Sequence, residues 1–416
     1  MILTNINISK YIFISLPIIF LTGPFLTDLA VVLISLQFLI LSFSKRSLTI
    51  YKTTFVYFFF SFYLLIIISG ILSVDTFSSL ILFDGPIFYI RYLFFSLGII
   101  YLLNLDNRLV RYFFISLSIS TSFLIIDTSF QWTFNYNLLG IVNDNPRVSS
   151  VFGKEKVLGH YLGFISPILF CLSLFFSNVN KKFLLIGFLI FFLSILISII
   201  SGDRTGLLKL ILFAFTAVFF MKNYKKYFIF LVLVSSFFAY HLVKNDEDIN
   251  NRFNQTIDEI TKTTIPYLPL TKLHQDHFNT AYVMFLDKPI IGHGPQGFRL
   301  SCHNNQKYNS YNGCNNHPHN YYSQLLSELG IFGFFTITLI FFYLIFLVLR
   351  NLCINYFVNE LSDTKLINSL LICCLILNIF PVMAHFNFYN NWVNAMLFLN
   401  ISIILSFSKK FINTNH

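Results

Sequence analysis

About twelve apolar stretches run through this sequence, each close to the length that a helix needs to cross a lipid bilayer. A helix of roughly 20 residues, with a range of about 17 to 25, spans the hydrocarbon layer. The stretches therefore predict an all-α polytopic membrane protein with about 12 transmembrane helices. They lie at 9–23, 27–44, 54–73, 88–104, 112–131, 158–177, 183–201, 206–221, 227–243, 329–349, 366–384 and 392–408.

The composition agrees with a membrane protein and argues against a nucleic-acid-binding one. Hydrophobic residues make up 56% of the chain and charged residues only 11%, against about 25% charged residues in a soluble domain. The formal net charge of +10 comes from short basic clusters between the apolar stretches, as in loops at a membrane face. We therefore expect the lipid bilayer, and no nucleic acid, to be the partner of this charge.

The basic residues concentrate in alternate connections. Asp28, Asp75 and Asp84 occur in the other, short connections. Because cytoplasmic loops carry the excess of Lys and Arg, this bias predicts that both termini are cytoplasmic. The predicted cytoplasmic residues are Lys10, Lys45, Arg46, Lys52, Arg108, Arg111, Lys181, Lys182, Lys222, Lys225, Lys226, Arg350, Lys365, Lys409 and Lys410.

Two predicted outside segments are too long to be simple turns, about 132–157 and 244–328. The second divides the chain into membrane helices 1–9 at 1–243, a periplasmic loop at 244–328 and helices 10–12 at 329–416. This loop contains more than half of the ten histidines, so polar and ionisable chemistry is gathered on the non-cytoplasmic side. Its histidines are His274, His277, His293, His303, His317 and His319.

Cys302 and Cys314 flank a polar stretch of this loop. In an oxidising compartment, a disulfide between them would stabilise the closed loop by roughly 3 kcal/mol. A zinc site with nearby histidines is the alternative, although no CxxC or HExxH spacing supports it.

"HPHN" at 317–320 precedes the tenth apolar stretch. Neutral histidine can accept and return a proton near neutral pH, which makes His319 a candidate general base. Asn320, Gln324 and Glu328 are spaced by four, so they share one face of a helix and predict a polar cavity there. The alternative is an interfacial helix whose histidines, His317 included, lie among lipid head groups.

"SGDRTGLLKL" at 201–210 puts Arg204 at the outer end of two apolar stretches. A permanent charge at membrane depth is costly and usually marks a substrate path. The guanidinium group offers a rigid set of donors that suits phosphate oxygens, so a phosphate-bearing lipid is the predicted ligand. Further positive charge on the same side comes from Arg91, Arg147, Lys154 and Lys156.

Four stretches of the chain resemble the O-antigen ligase and O-antigen polymerase superfamily. The most specific is "HPHNYYSQLLSELGIFG" at 317–333, in which His-Asn is followed by Leu-x-x-Glu-x-Gly. The other three are "GDRTGLL" around Arg204, "DKPIIGHGPQGFR" at 287–299, and "DTSFQ" with "RVSSVFGKEKVLGHYL" within 127–162.

The resemblance implies integral membrane glycosyltransferases that use an undecaprenyl-diphosphate-linked glycan as donor. It implies about 12 helices, a large helical periplasmic loop between helices 9 and 10 that caps a cavity, and an inverting mechanism without metal or cofactor. By motif, His319 would activate the acceptor hydroxyl and Arg204 would hold the donor diphosphate. The place of a second family arginine is taken by His274, so Arg299 or Arg147 could supply that contact.

Three functions follow as candidates. As an O-antigen ligase in the bacterial inner membrane, the protein would join the glycan to lipid A-core at the periplasmic face. As an O-antigen polymerase it would join one glycan repeat to another. A polysaccharide or lipid transporter is the candidate of another class, although the sequence has no visible internal half-repeat.

Overall fold

Helices form the regular structure of this protein. The computed structural model describes residues 6–45, 51–82, 84–143, 147–221, 224–261, 271–302, 305–309, 313–358 and 362–410. Within these ranges the structure contains no strand. Arg46, Lys222 and His303 lie outside the described residues.

Among the described residues, ten α-helices precede the large loop and three follow it. The first ten are α1 Ile6–Ile19, α2 Pro24–Lys45, α3 Thr54–Ile71, α4 Thr76–Leu80, α5 Arg91–Leu105, α6 Arg108–Phe134, α7 Leu158–Ser177, α8 Lys181–Ile200, α9 Arg204–Phe220 and α10 Lys225–Asn245. The loop contains α11 Glu247–Thr261, α12 Lys272–Asp287, α13 Gly297–Ser301 and α14 Gln306–Asn309. The last three are α15 Tyr321–Cys353, α16 Asp363–Asn378 and α17 Asn391–Lys410.

Nine helices in the described ranges are long and apolar enough to cross a membrane. The prediction of an all-α polytopic membrane protein is therefore confirmed. Three further apolar helices lie where the sequence predicted spans, but they are shorter: α1 has 14 residues, α9 has 17 and α16 has 16. The number of 12 spans stays a prediction.

The helix of the "HPHN" motif breaks at Gly330, which has a φ of 66°. The break leaves backbone carbonyl groups of the preceding turn without their helical donors. The "GHG" turn supplies new ones: His293 N donates to Ser327 O at 3.0 Å, and Gly294 N donates to Glu328 O at 2.9 Å. The "GHG" turn at 292–294 thus packs against the end of the helical segment that precedes Gly330.

Two glycines allow α7 and α9 to pack closely. A Cβ atom at Gly206 would lie 2.0 Å from Gly159 O, and one at Gly159 would lie 2.5 Å from the Cβ of Asp203. Only glycine fits at such a contact. The approach brings the N-terminal ends of both helices to one wall of a cavity.

Candidate active site

A cavity of about 590 Å³ lies at the N-terminal ends of α7, α9 and α12, beside the connection between α16 and α17. It brings together four residues that the sequence predicted: Arg204, His319, Arg147 and His274. The remaining lining residues are Lys156, His160, Gly202, Asp203, Thr205, Thr271, Lys272, Leu273, Ala384, His385 and Phe386.

Asp203 joins two helix N-termini at the wall that carries Arg204. One carboxylate oxygen accepts from Gly206 N at 3.0 Å and caps α9, while the other accepts from His160 N at 2.8 Å in the first turn of α7. Helix N-termini carry partial positive charge and present backbone N–H groups. Because Asp203 already satisfies these two N–H groups, the positive charge that this wall offers to an anion comes from Arg204.

Arg147 is held at the cavity by backbone carbonyl groups. Its Nε donates to Ser201 O at 3.3 Å and its Nη2 donates to Lys156 O at 3.1 Å. Lys156 Nζ donates in return to Arg147 O at 3.0 Å. The two cations are thus fixed to each other's backbone, which preorganises them in the wall.

The "DTSFQ" stretch explains why the loop that carries Arg147 is ordered. Asp127 is fully buried and accepts from Leu138 N at 2.8 Å, from Asn137 Nδ2 at 3.2 Å and from the hydroxyl of Ser150. Gln131, one turn later, accepts from Ser150 N at 2.6 Å. The C-terminal part of α6 therefore holds both ends of this loop.

The cavity is electropositive. Of the described residues that line it, four are Lys or Arg and one, Asp203, is a carboxylate that already bonds to two backbone N–H groups. Walls of one charge sign focus the field inside a cleft. The four cations are Arg147, Lys156, Arg204 and Lys272.

His319 lies at the centre of a group of histidines. Its ring centroid is 4.1 Å from that of His317, 5.3 Å from that of His277 and 6.2 Å from that of His274. Its backbone is left-handed, with a φ of 53°. Such a backbone is uncommon for a residue with a Cβ and persists only where the surroundings impose it. Among the described residues, these histidines are not arranged to share a metal ion.

His319, His317 and His385 are neutral at neutral pH. Burial, followed by the nearby imidazoles of His317, His277 and His274, lowers the pKa of His319 to about 3. Burial is also the main reason why the pKa of His317 falls to about 4. The pKa of His385 is lowered well below its ordinary value, again mainly by burial. Each ring therefore retains one nitrogen that can accept a proton.

Two residues that the sequence predicted to face a polar cavity and to bind substrate, Asn320 and Glu328, contact the protein instead. The Asn320 side chain caps α15 by accepting from Tyr322 N at 3.0 Å, and its Nδ2 donates to Pro381 O at 2.6 Å. Glu328 is fully buried, where it accepts from Gln324 Nε2 at 3.2 Å. Neither residue lines the cavity.

Three predicted cations are also away from the cavity lining. Arg91 forms an ion pair with Asp28 at 3.0 Å. Lys154 is exposed. Arg299 lies on α13, where its charge helps to lower the pKa of His317. Of the two arginines that could replace the missing family contact, Arg147 is the one that lines the cavity.

Cys302 and Cys314 are joined in a disulfide. It packs in a small apolar cluster with Met284, Phe298 and Tyr308. The residues beside Cys314 contact the histidine group: Gly313 O accepts from His277 Nδ1 at 2.6 Å, and Asn315 Nδ2 lies 3.3 Å from His319 Nε2. The disulfide thus lies next to residues 313–315, which contact the side chains of His277 and His319.

The sequence analysis did not assign a role to Lys156, His160, Lys272 or His385, which also line the cavity. Lys156 had been recognised only as part of the positive charge. The signal for His385 was available in the polar connection "HFNFYNN" between two apolar stretches. The sequence around His160 contains no such signal, because His160 lies inside an apolar stretch. Its position at the cavity depends on tertiary packing.

Residues 189–338 match a family described as O-antigen ligase. The match includes Arg204, His274 and His319, whereas Arg147 and His385 lie outside it. No curated protein matches the chain. The chain is thus a polytopic membrane protein in which residues 189–338 are similar to the O-antigen ligase family.

Proposed function

We propose that the protein moves a glycan from undecaprenyl diphosphate to an acceptor hydroxyl at the periplasmic face of the inner membrane, as an O-antigen ligase acting on lipid A-core. The observation that carries this proposal is one cavity that contains both an arginine-rich anion site and the histidine of the "HPHN" motif. An electropositive pocket supports an anionic lipid as donor, and a neutral imidazole supports activation of a hydroxyl group.

Arg204 and Arg147 hold the donor diphosphate in this proposal. Guanidinium groups match phosphate oxygens in charge and geometry. Lys156 and Lys272 add positive charge where the leaving diphosphate gains negative charge. Each preorganised donor of this kind contributes about 3 kcal/mol to transition-state stabilisation. No metal ion or cofactor is needed for this clamp.

His319 acts as the general base. The acceptor oxygen attacks the anomeric carbon, its proton passes to the unprotonated nitrogen of His319, and the bond between that carbon and the diphosphate oxygen breaks. The diphosphate leaves with the electron pair, so the anomeric configuration inverts. A positioned base of this kind contributes about 10²- to 10⁴-fold to the rate.

The low pKa of His319 has a consequence for this step. At about 3 the free imidazole is a weak base, because burial and the neighbouring histidines disfavour the imidazolium. A bound diphosphate brings negative charge into the same cavity and would favour the imidazolium, so the pKa of His319 rises. His319 would therefore become an effective base mainly when the donor is in place.

Deletion of the protein in its host, followed by gel analysis of the surface glycans, tests the proposal. Loss of ligation leaves long glycan chains that are not joined to lipid A-core, and this is the expected result. A single repeat joined to lipid A-core would instead identify the polymerase, which uses the same donor and the same clamp. An unchanged glycan profile would contradict both.

A further inference from the structure

Lys209 is a fully buried amine in the apolar part of α9, and the proposed reaction gives it no role. Its Nζ donates to Asn378 Oδ1 at 2.9 Å, lies 3.2 Å from His160 Nε2 and lies 4.7 Å from the ring centroid of Phe164. A buried ammonium is costly unless such partners compensate it. One of these partners, His160, belongs to the cavity wall.

The hydrogen bonds define the state of His160. Asn378 Nδ2 donates to Cys374 O at 2.9 Å, which turns the Oδ1 of this amide towards Lys209. An ammonium group can only donate, so with Lys209 protonated its Nζ donates to Nε2 of His160, and the neutral imidazole carries its proton on Nδ1.

The position of His160 is fixed from several sides. Its backbone N donates to the Asp203 carboxylate beside Arg204, and its ring packs edge-on against Phe386 with centroids 4.6 Å apart. The same cavity contains Arg204 and Arg147. A histidine held in this way cannot easily turn its ring, so its tautomer determines whether it offers the cavity a donor or an acceptor.

We propose that His160 is a further donor-binding residue, which gives a neutral N–H to a diphosphate oxygen, and that Lys209 is a positioning residue that selects the required tautomer. The inference rests on the proposed function, because it assigns a third contact to the same donor. The alternative is a purely structural pair in which His160 only compensates the buried amine.

Binding of undecaprenyl diphosphate to the purified full-length protein in nanodiscs separates the two. His160→Ala removes the donor and should weaken binding roughly tenfold, the value of one charge-assisted hydrogen bond. His160→Asn keeps a short N–H donor and should recover much of the affinity. Lys209→Met should weaken binding to a similar degree. The double variant should bind no more weakly than His160→Ala, since Lys209 acts through His160.

Two controls make the result decisive. His241→Ala, on α10, is a matched variant outside the cavity lining and should bind as the unmodified protein does. Thermal unfolding of each variant separates lost affinity from lost folding. If Lys209→Met does not fold, the two His160 variants decide alone: equal affinities for Ala and Asn would overturn the inference. The inference would also be overturned if the affinity lost in the double variant equals the product of the losses in the two single variants.

Failure of the proposed function would look different. If the unmodified protein does not bind undecaprenyl diphosphate, or if Arg204→Lys leaves binding unchanged, the donor site itself is wrong. If Arg204→Lys weakens binding and His160→Ala does not, only the inference about His160 and Lys209 fails.

Discussion

His319 shows how a residue can be found from sequence while its chemistry cannot. The "HPHN" motif and the helical spacing behind it identified the histidine directly. Its low pKa comes from burial, from neighbouring His317, and from His277 and His274 on α12, more than 40 positions away in the chain. No local pattern relates these residues, because α12 and α15 meet only in the folded protein.

The pKa of His319 predicts an unusual pH dependence. The base is active when unprotonated, so a pKa lowered to about 3 should keep kcat/KM for the donor constant from pH 8 down to roughly pH 5. The acidic limb of kcat should lie at a higher pH than that of kcat/KM, because the bound diphosphate raises the pKa in the complex. Initial rates measured from pH 8 to below pH 5 follow both limbs. A kcat/KM limb near the ordinary histidine pKa would contradict the assignment.

Asn320 and Glu328 show the limit of periodicity. Gln324 and Glu328 lie four residues apart within α15 and Asn320 is its N-cap residue, but the protein's own groups contact all three side chains. Gln324 Nε2 donates to Asn387 Oδ1 at 3.1 Å, and Asn387 Nδ2 donates to Gln296 at 3.1 Å. Periodicity shows which residues share a face, whereas tertiary structure decides whether a substrate or another segment meets it.

At the scale of the element, one disulfide and a few hydrogen bonds hold the loop helices next to the histidine group. The disulfide Cys302–Cys314 closes a separation of 12 residues, and its neighbours contact His277 and His319. The cysteine spacing predicted a possible pairing. It could not indicate that the bonded segment lies against the histidine group, since this follows from the docking of α12.

Replacement of Cys302 by Ser should destabilise the loop before it affects chemistry. A disulfide that closes a loop of this length contributes roughly 3 kcal/mol, so the thermal unfolding temperature of Cys302→Ser should fall. We expect transfer at low temperature to fall less than in His319→Ala. Mass spectrometry of non-reduced protein checks the bond itself, and two free thiols would refute it. Cys353→Ser, at an exposed free cysteine, is the matched control.

At the scale of the whole molecule, hydropathy and the distribution of basic residues predicted the fold class and the approximate place of each span. Nine helices among the described residues meet the length of a span, and α1, α9 and α16 are shorter. The short α9 begins at Arg204, which lines the cavity, so its N-terminal end lies against the cavity.

The orientation of the chain is a separate prediction. Lys307 is 56% exposed. In spheroplasts that carry the protein with Lys307→Cys and Cys353→Ser, the new cysteine should react with a membrane-impermeant maleimide. A cysteine at Lys226 should react only after the inner membrane is opened. This pattern follows from the concentration of Lys and Arg on the cytoplasmic side. The reverse pattern would invert the topology and move the cavity to the cytoplasmic face.

The most direct test of the central claim is glycan transfer by the purified protein with chelator present, comparing the unmodified protein with His319→Ala. The unmodified protein should transfer glycan from undecaprenyl diphosphate to its acceptor without added metal. His319→Ala should lose about 10²- to 10⁴-fold in rate while still binding the donor, and Arg204→Lys should instead bind the donor more weakly. Transfer at the full rate by His319→Ala, or transfer that strictly requires added metal, would contradict the account.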